Sequence, residues 1–302
     1  MSDIPISEID NSTLGIEPGR SQLDLGEPFS FNDASIILRA GGVDFAVHKS
    51  ILSSVSPIFK DMFTLSRDDT SQEGIPIVEL EESSQVIYDL LSFLYMHIND
   101  PALDDIPSLL NVMRAAQKYE LTKVVLKLID HLEKQASKDP LLVFVLACQW
   151  GFPDVARTAA LHTLKLNFST LLVSEEVTRL PTKTYQKLLV YHSKCGQVAS
   201  QAIQDNIGHY PTQFRGCADD QKEWWTAYQS RLKEECRMHP LEVDYTNTEM
   251  LQHQCRSNLR CRQHNSPALI HSIMERGKKV QKAVEVGIHK VQIEFDVTDF
   301  FA

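Results

Sequence analysis

The feature that most constrains the fold is a pair of short apolar segments joined by two glycines. Ala34 to Ala40 is a mainly apolar run typical of a buried strand, and Val43 to Val47 alternates apolar and polar side chains. Gly41-Gly42 joins the two runs with residues that tolerate the positive φ angles of a two-residue hairpin turn. The pattern predicts a β-hairpin, and therefore a fold in which other elements cover its apolar face.

Helical and strand signals alternate after the hairpin. Ser56-Pro57 is typical of a helix start, since serine caps the helix and proline fits its first turn. A strand is expected over Ile75–Leu80, and Ser83 or Ser84 is expected to cap a further helix. The other helices predicted in this half cover Lys49–Ser54, Asp105–Lys118 and Leu121–Lys134. A hairpin, a third strand and several amphipathic helices predict an α+β domain.

From Asp139 onward the pattern predicts one helix after another. Starts are expected at Asp139-Pro140, Pro153, Pro181, Asp219-Asp220 and Ser266-Pro267. The last of these helices repeats apolar residues and one glycine on a single face, at Ile270, Ile273, Gly277, Val280, Val284 and Ile288. The alternation in Val291–Phe295 suggests an extended segment.

Charge and cysteine content restrict the classes of partner. The 302 residues have a net charge of −10, which argues against nucleic-acid or anionic-membrane binding by the whole surface. Residues 1–33 contain seven acids and one base, whereas residues 254–290 contain eight bases and two acids. All six cysteines lie irregularly in the second half, and neither a signal peptide nor a membrane span is found. We expect an intracellular protein, cytoplasmic or nuclear, with free thiols.

Three regions are predicted from these patterns. They are a flexible acidic leader over residues 1–29, an α+β domain over residues 30–135 and an α-helical C-terminal region over residues 136–302.

Several short motifs in the α+β domain together resemble a BTB/POZ domain. They are Asp33-Ala34-Ser35-Ile36-Ile37-Leu38, the glycine turn, Phe45-Ala46-Val47-His48-Lys49-Ser50-Ile51-Leu52 and Ser56-Pro57-Ile58-Phe59-Lys60-Asp61-Met62-Phe63. The resemblance continues to about Lys134, and the helical region after it resembles the C-terminal extensions of fungal (basidiomycete-type) BTB proteins. It implies a small three-stranded sheet with helical hairpins, followed by an all-α region.

The resemblance also implies how the protein works. BTB/POZ domains have no active site, are usually homodimeric and recruit partners such as co-repressors or cullins. Asp33 and Lys49 match positions that form a charged pocket in repressor-type domains. Leu65-Ser66-Arg67 falls where cullin-binding domains carry an apolar residue, any residue and glutamate. Arg67 reverses that charge, which argues against direct cullin binding.

Two groups of residues in the domain are candidate sites with structural alternatives. Asp33 and His48 flank the hairpin at opposite ends, so strand pairing brings them together. A proton relay is one interpretation, but a hydrogen bond that fixes the turn from strand to helix is favoured. For Phe59, Met62 and Phe63, packing in the core is favoured over direct partner binding.

The C-terminal half offers weaker candidates for other chemistry. Cys255, Cys261 and His264, with Cys217 and Cys236 further away, lack the close cysteine pairs of zinc modules, so no metal or cofactor is predicted. His192 and Cys195 share a helix face with leucines, which favours packing over a cysteine hydrolase. Trp224-Trp225 near the arginines of residues 256–262 is interpreted as core and not as a nucleic-acid surface.

These observations predict a non-enzymatic interaction adaptor that binds a copy of itself and an unidentified protein. The alternatives are a transcription-associated regulator that recruits co-repressors and a ubiquitin-ligase substrate adaptor. The first alternative needs a DNA-reading element, and the sequence has no helix-turn-helix or zinc-finger spacing.

Overall fold

The computed structural model describes residues 27–65, 74–95, 100–208, 220–246 and 267–294. By its contacts the chain divides into two compact units, Met1–Leu128 and Ile129–Ala302. The first contains a small sheet with helices, and the described part of the second is helical. The α+β class with a helical C-terminal region is therefore confirmed.

The sheet has three strands in the order β2-β1-β3: β1 is Ile36–Ala40, β2 is Val43–Val47 and β3 is Ile77–Leu80. β1 pairs antiparallel with β2 and parallel with β3. The turn between β1 and β2 has positive φ at both Gly41 (54°) and Gly42 (78°), as the hairpin pattern predicts.

The two faces of the sheet differ in polarity. Alternate strand residues such as Leu38 and Phe45 are fully buried. On the other face Arg39 forms two hydrogen bonds with Asp44, at 2.6 and 2.9 Å, and lies 3.7 Å from Glu79 on β3. One guanidinium thus links all three strands at the surface.

Five helices complete the described part of the first unit: α1 (Lys49–Val55), α2 (Pro57–Leu65), α3 (Ser84–Leu94), α4 (Ile106–Lys118) and α5 (Thr122–Gln135), which continues into the second unit. Polar residues cap several helices: Ser83 accepts a hydrogen bond from the backbone N–H of Val86, and Asp105 accepts one from Ser108. The predicted helix starts at these positions are confirmed.

The second unit contains α6 (Pro140–Gln149), α7 (Pro153–Thr163), α8 (Phe168–Val173), α9 (Thr182–Ile207), α10 (Asp220–Met238) and α11 (Pro267–Ile288). α9 packs against both α10 and α11. The apolar face predicted for α11 is buried at Ile273, Val280, Val284 and Ile288. Val291–Glu294, predicted to be extended, has no strand assignment, although Ile293 is buried.

The structure differs from the sequence interpretation in short helical segments. Glu27–Phe29 forms a turn of 3-10 helix inside the predicted leader, because the ring of Phe29 is fully buried. α8 was not predicted, since six residues are too few for a helical periodicity to be recognised. Within the described ranges, no helix is both long and apolar enough to cross a bilayer.

Candidate protein-interaction surface

His48 occupies the junction between β2 and α1 and connects two distant side chains. Its Nε2 lies 3.1 Å from Oδ1 of Asp33, and its Nδ1 lies 3.3 Å from the hydroxyl of Tyr95. The backbone N–H of His48 also donates to the Tyr95 hydroxyl at 3.1 Å. The sequence interpretation brought Asp33 and His48 together but missed Tyr95, which is 47 residues away and carries no local signal.

The electrostatics of this junction suit a structural role. The hydrogen bond from His48 lowers the pKa of Asp33 below its usual value, while burial raises the pKa of Tyr95. The carboxylate of Asp33 is 84% exposed, and the phenol ring of Tyr95 lies in an aromatic cluster with Phe29 and Phe31. The junction therefore ties the strand to the helix.

Lys49 is the first residue of α1 and lies next to the residue that precedes β1. Its backbone N–H donates to the hydroxyl of Ser35 at 2.9 Å. Among the described residues its side chain forms no ion pair with Asp33, whose carboxylate contacts His48. The match of Asp33 and Lys49 to a charged pocket stays a prediction.

Phe59 is the buried anchor of α2. Its ring is fully buried and stacks on Tyr119 at 4.4 Å and on Phe63 at 5.8 Å. Ser56, which precedes the helix, accepts a hydrogen bond from the Phe59 N–H and donates one to the carbonyl of Tyr119 at 2.6 Å. These contacts hold α2 against the end of α4.

Tyr119 also reaches a charged group at the surface. Its hydroxyl donates to Glu82 at 2.6 Å, and Lys118 donates to the same carboxylate at 2.7 Å. Burial alone would raise the pKa of Glu82, but the hydrogen bonds from Lys118 and Tyr119 outweigh it and lower that pKa. The sequence interpretation recognised Ser56 as a helix cap, but it did not single out Glu82 or Tyr119.

The short helices α1 and α2 each carry two half-buried apolar side chains four residues apart, and hence on one side of the helix. These four residues, which we call the α1–α2 strip, are Ile51, Val55, Ile58 and Met62. Phe63 is likewise half-buried, so core packing explains Phe59 fully but Met62 and Phe63 only in part. Leu65 is the last residue of α2, and Arg67 lies outside the described residues.

The candidates for catalysis in the second unit are buried. The thiol of Cys195 is enclosed, and burial raises its pKa to about 12. His192 is fully buried beside Phe168, and burial lowers its pKa to about 4. A thiol held protonated and an imidazole held neutral in the interior match the packing interpretation of this helix face.

The remaining candidates are partly outside the described residues. Cys217, Cys255, Cys261 and His264 lie there, as do the arginines of residues 256–262. Cys236 and Trp225 are buried. Within the described ranges, no group of three or more potential metal ligands is clustered.

Comparisons with known proteins agree with the geometry of the first unit. The family model for the BTB/POZ domain matches residues 25–136. The mouse TD and POZ domain-containing protein 1 is 30% identical over 205 residues, which cover 64% of this chain and 51% of the mouse protein. The zebrafish Kelch-like ECH-associated protein 1B is 28% identical over 138 residues, covering 44% of this chain and 22% of that protein.

The matches cover part of each relative, and the family model covers most of the first unit of this chain. The chain spans about half the length of the mouse relative and a smaller share of the zebrafish one. The family match coincides with the hairpin, the third strand and helices α1 to α5, and the sheet and helices have the architecture that the motifs imply. Residues 25–136 of this chain are a BTB/POZ domain, a protein-interaction module.

Proposed function

We propose that this protein is a non-enzymatic adaptor. In this proposal a BTB/POZ domain over residues 30–135 forms a homodimer, and residues 136–302 bind or position a second protein. Residues 1–29 are the acidic leader, and the C-terminal region is a helical extension like those of fungal (basidiomycete-type) BTB proteins.

The observation that carries the proposal is the α1–α2 strip. Four apolar side chains, Ile51, Val55, Ile58 and Met62, are each only half-buried on two consecutive helices of a protein-interaction domain. Apolar side chains clustered at a surface lower the free energy when a partner covers them. A second copy presents the same strip, and a two-fold axis would pair the strips with each other.

The environments of the reactive side chains support a non-enzymatic role. The imidazole of His48 is bound between Asp33 and Tyr95, and Cys195 and His192 lie in the interior. A general base or nucleophile must reach a substrate atom, and these groups contact structural partners or apolar neighbours instead.

Three buried thiols support an intracellular location, cytoplasmic or nuclear. Within the described residues, Cys148, Cys195 and Cys236 are buried and form no disulfide, as is usual for cysteines in a reducing compartment. The zebrafish relative is named for its association with another protein, which agrees with a binding role.

Light scattering of the full chain during size-exclusion chromatography tests the proposal. At tens of micromolar we expect the mass of a dimer. Ile58→Glu should shift the mass to that of a monomer, since it places a charge in the proposed interface. Val173→Glu, a change at an 80% exposed valine on α8, should leave the dimer intact.

A monomeric wild-type chain under these conditions would contradict the dimer proposal. Affinity purification followed by mass spectrometry would then identify the second protein. Recovery of a cullin would select the ubiquitin-ligase alternative, and recovery of a co-repressor would select the transcriptional one.

A further inference from the structure

The exposed side of α11 presents lysines that form no ion pair among the described residues, although Glu275 lies one turn before Lys279. Lys279 and Lys282 lie on this side with Val286, and Lys290 follows in the turn after the helix. Spacings of 3, 4 and 4 residues align all four on one side, which we call the α11 lysine face. The opposite side is the buried row that includes Val280 and Val284.

Within the part of the chain that the structure describes, some lysines pair with carboxylates, and the lysines of this face do not. Lys118 pairs with Glu81 and Glu82, Lys127 pairs with Asp100, and Lys278 pairs with Glu275. Within the described ranges, Lys279, Lys282 and Lys290 have no ion pair. In a protein with a net charge of −10, this is a local excess of positive charge, which Glu275 offsets in part at Lys279.

The composition of the face indicates the kind of ligand that fits it. Val286 is 51% exposed between Lys282 and Lys290, so an apolar side chain would bury area there while carboxylates approach the ammonium groups. The face contains no arginine, the residue that best binds phosphate, and the net negative charge of the protein repels a long polyanion. A short acidic segment of polypeptide suits the face better than a nucleic acid does.

We propose that the α11 lysine face docks an acidic segment of a partner protein, with an apolar side chain of that segment on Val286. The face extends for about 16 Å, a length that roughly five residues in an extended conformation would span. The inference rests on the proposed adaptor function and gives its second partner a chemical character.

Fluorescence anisotropy with the full chain tests this proposal. The probe is a short labelled peptide of aspartates and glutamates around a central leucine. We expect a dissociation constant on the order of 10–100 µM at low salt and weaker binding at high salt. The double variant Lys279→Glu and Lys282→Glu should bind about ten-fold more weakly or worse, and Val286→Ser should bind a few-fold more weakly.

A matched control distinguishes an effect of the α11 lysine face on peptide affinity from an effect of the net charge of the protein. Lys123→Glu with Lys138→Glu makes the same change of charge at two exposed lysines on α5 and just after it, and should leave the peptide affinity within about two-fold. Unchanged melting temperatures would show that all variants are folded.

Three results would overturn the proposal. One is an equal loss of affinity in the control variant, and another is tighter binding of an oligonucleotide of the same charge. The third is a gain of about ten-fold on removal of residues 1–26, which would assign the face to the chain's own acidic segment. Light scattering measures the dimer mass separately. A negative result in the peptide-binding experiment would therefore not contradict the proposed dimer.

Discussion

Gly277 on α11 faces the carbonyl oxygen of Tyr245 so closely that a Cβ on the glycine would overlap that oxygen. The sequence places this glycine in the apolar row of the helix. The close neighbour is backbone, which cannot rotate out of the way as a side chain can. α11 therefore depends on the absence of a side chain at this position.

We expect Gly277→Ala to destabilise the second unit by about 1–3 kcal/mol, because the added methyl group forces the two segments apart. Chemical denaturation followed by circular dichroism measures the loss. Gly196→Ala on α9 is the control: its Cβ would lie 3.1 Å from the Cα of Arg237, so that backbone would have to move by only a few tenths of an ångström. A Gly277→Ala variant as stable as the control would show that the segments adjust freely.

The two sides of α11 should respond differently to substitution. Val280 has no exposed surface, so Val280→Asp buries a carboxylate and should lower the free energy of unfolding by about 3 kcal/mol or more. Lys279→Ala, on the exposed side, should change it by less than about 0.5 kcal/mol. Thermal melting of both variants provides the comparison. An unchanged melting temperature for Val280→Asp would mean that α11 is not packed in solution.

Acid should destabilise the second unit through His192. Burial lowers its pKa to about 4 from the usual 6.5, and the Leu166 carbonyl offsets this effect only in part. Among the described residues, no hydrogen bond of ordinary geometry reaches either ring nitrogen. In this window the unfolded chain binds the proton and the folded chain does not. The resulting loss of stability begins as the pH falls through 6.5, reaches roughly 1–2 kcal/mol by pH 5 and stops growing below pH 4.

Urea unfolding at several pH values checks this expectation. His192→Leu should remove most of the decrease between pH 6.5 and 4, whereas His271→Gln, at an exposed histidine, should leave it unchanged. The same slope in wild type and His192→Leu would exclude His192 as its source.

Direct cullin binding should be weak or absent in the wild-type chain. Arg67 places a positive charge where cullin-binding BTB/POZ domains carry glutamate. Arg67→Glu should strengthen binding to a cullin N-terminal domain by up to about ten-fold, because it restores the expected charge. Lys60→Glu makes the same change of charge at an exposed position on α2 and serves as the control. Tight binding by the wild type in a calorimetric titration would refute the prediction.

Local signals in the sequence predicted most of the elements, and α8, which was missed, has a weaker local signal. Asp105 and Asp139 stand before prolines or apolar residues and were recognised as helix starts, and both cap helices. The start of α8 has a weaker signal, Asn167, whose side chain accepts from the Ser169 N–H.

In the candidate site, the sequence predicted the contact between the hairpin ends and missed the contacts between distant residues. Asp33 and His48 meet because the hairpin register brings its ends together, which sequence alone can predict. Tyr95 joins them, and Tyr119 stacks on Phe59, across 47 and 60 positions of the chain. Only the packing of α3 and α4 sets those distances, and no spacing rule in one sequence encodes it.

The central place of β1 in the sheet has a consequence for the order of folding. β1 meets β2 across a two-residue turn, but it meets β3 only after some forty positions of chain, as in the pair Ile37 and Ile77. Closing the longer loop costs more entropy, so the hairpin should form before β3 pairs with β1 and completes the sheet. In pulse-labelled hydrogen exchange during refolding, the amide of Ala40, which lies within the hairpin, should therefore gain protection before the amides of β3.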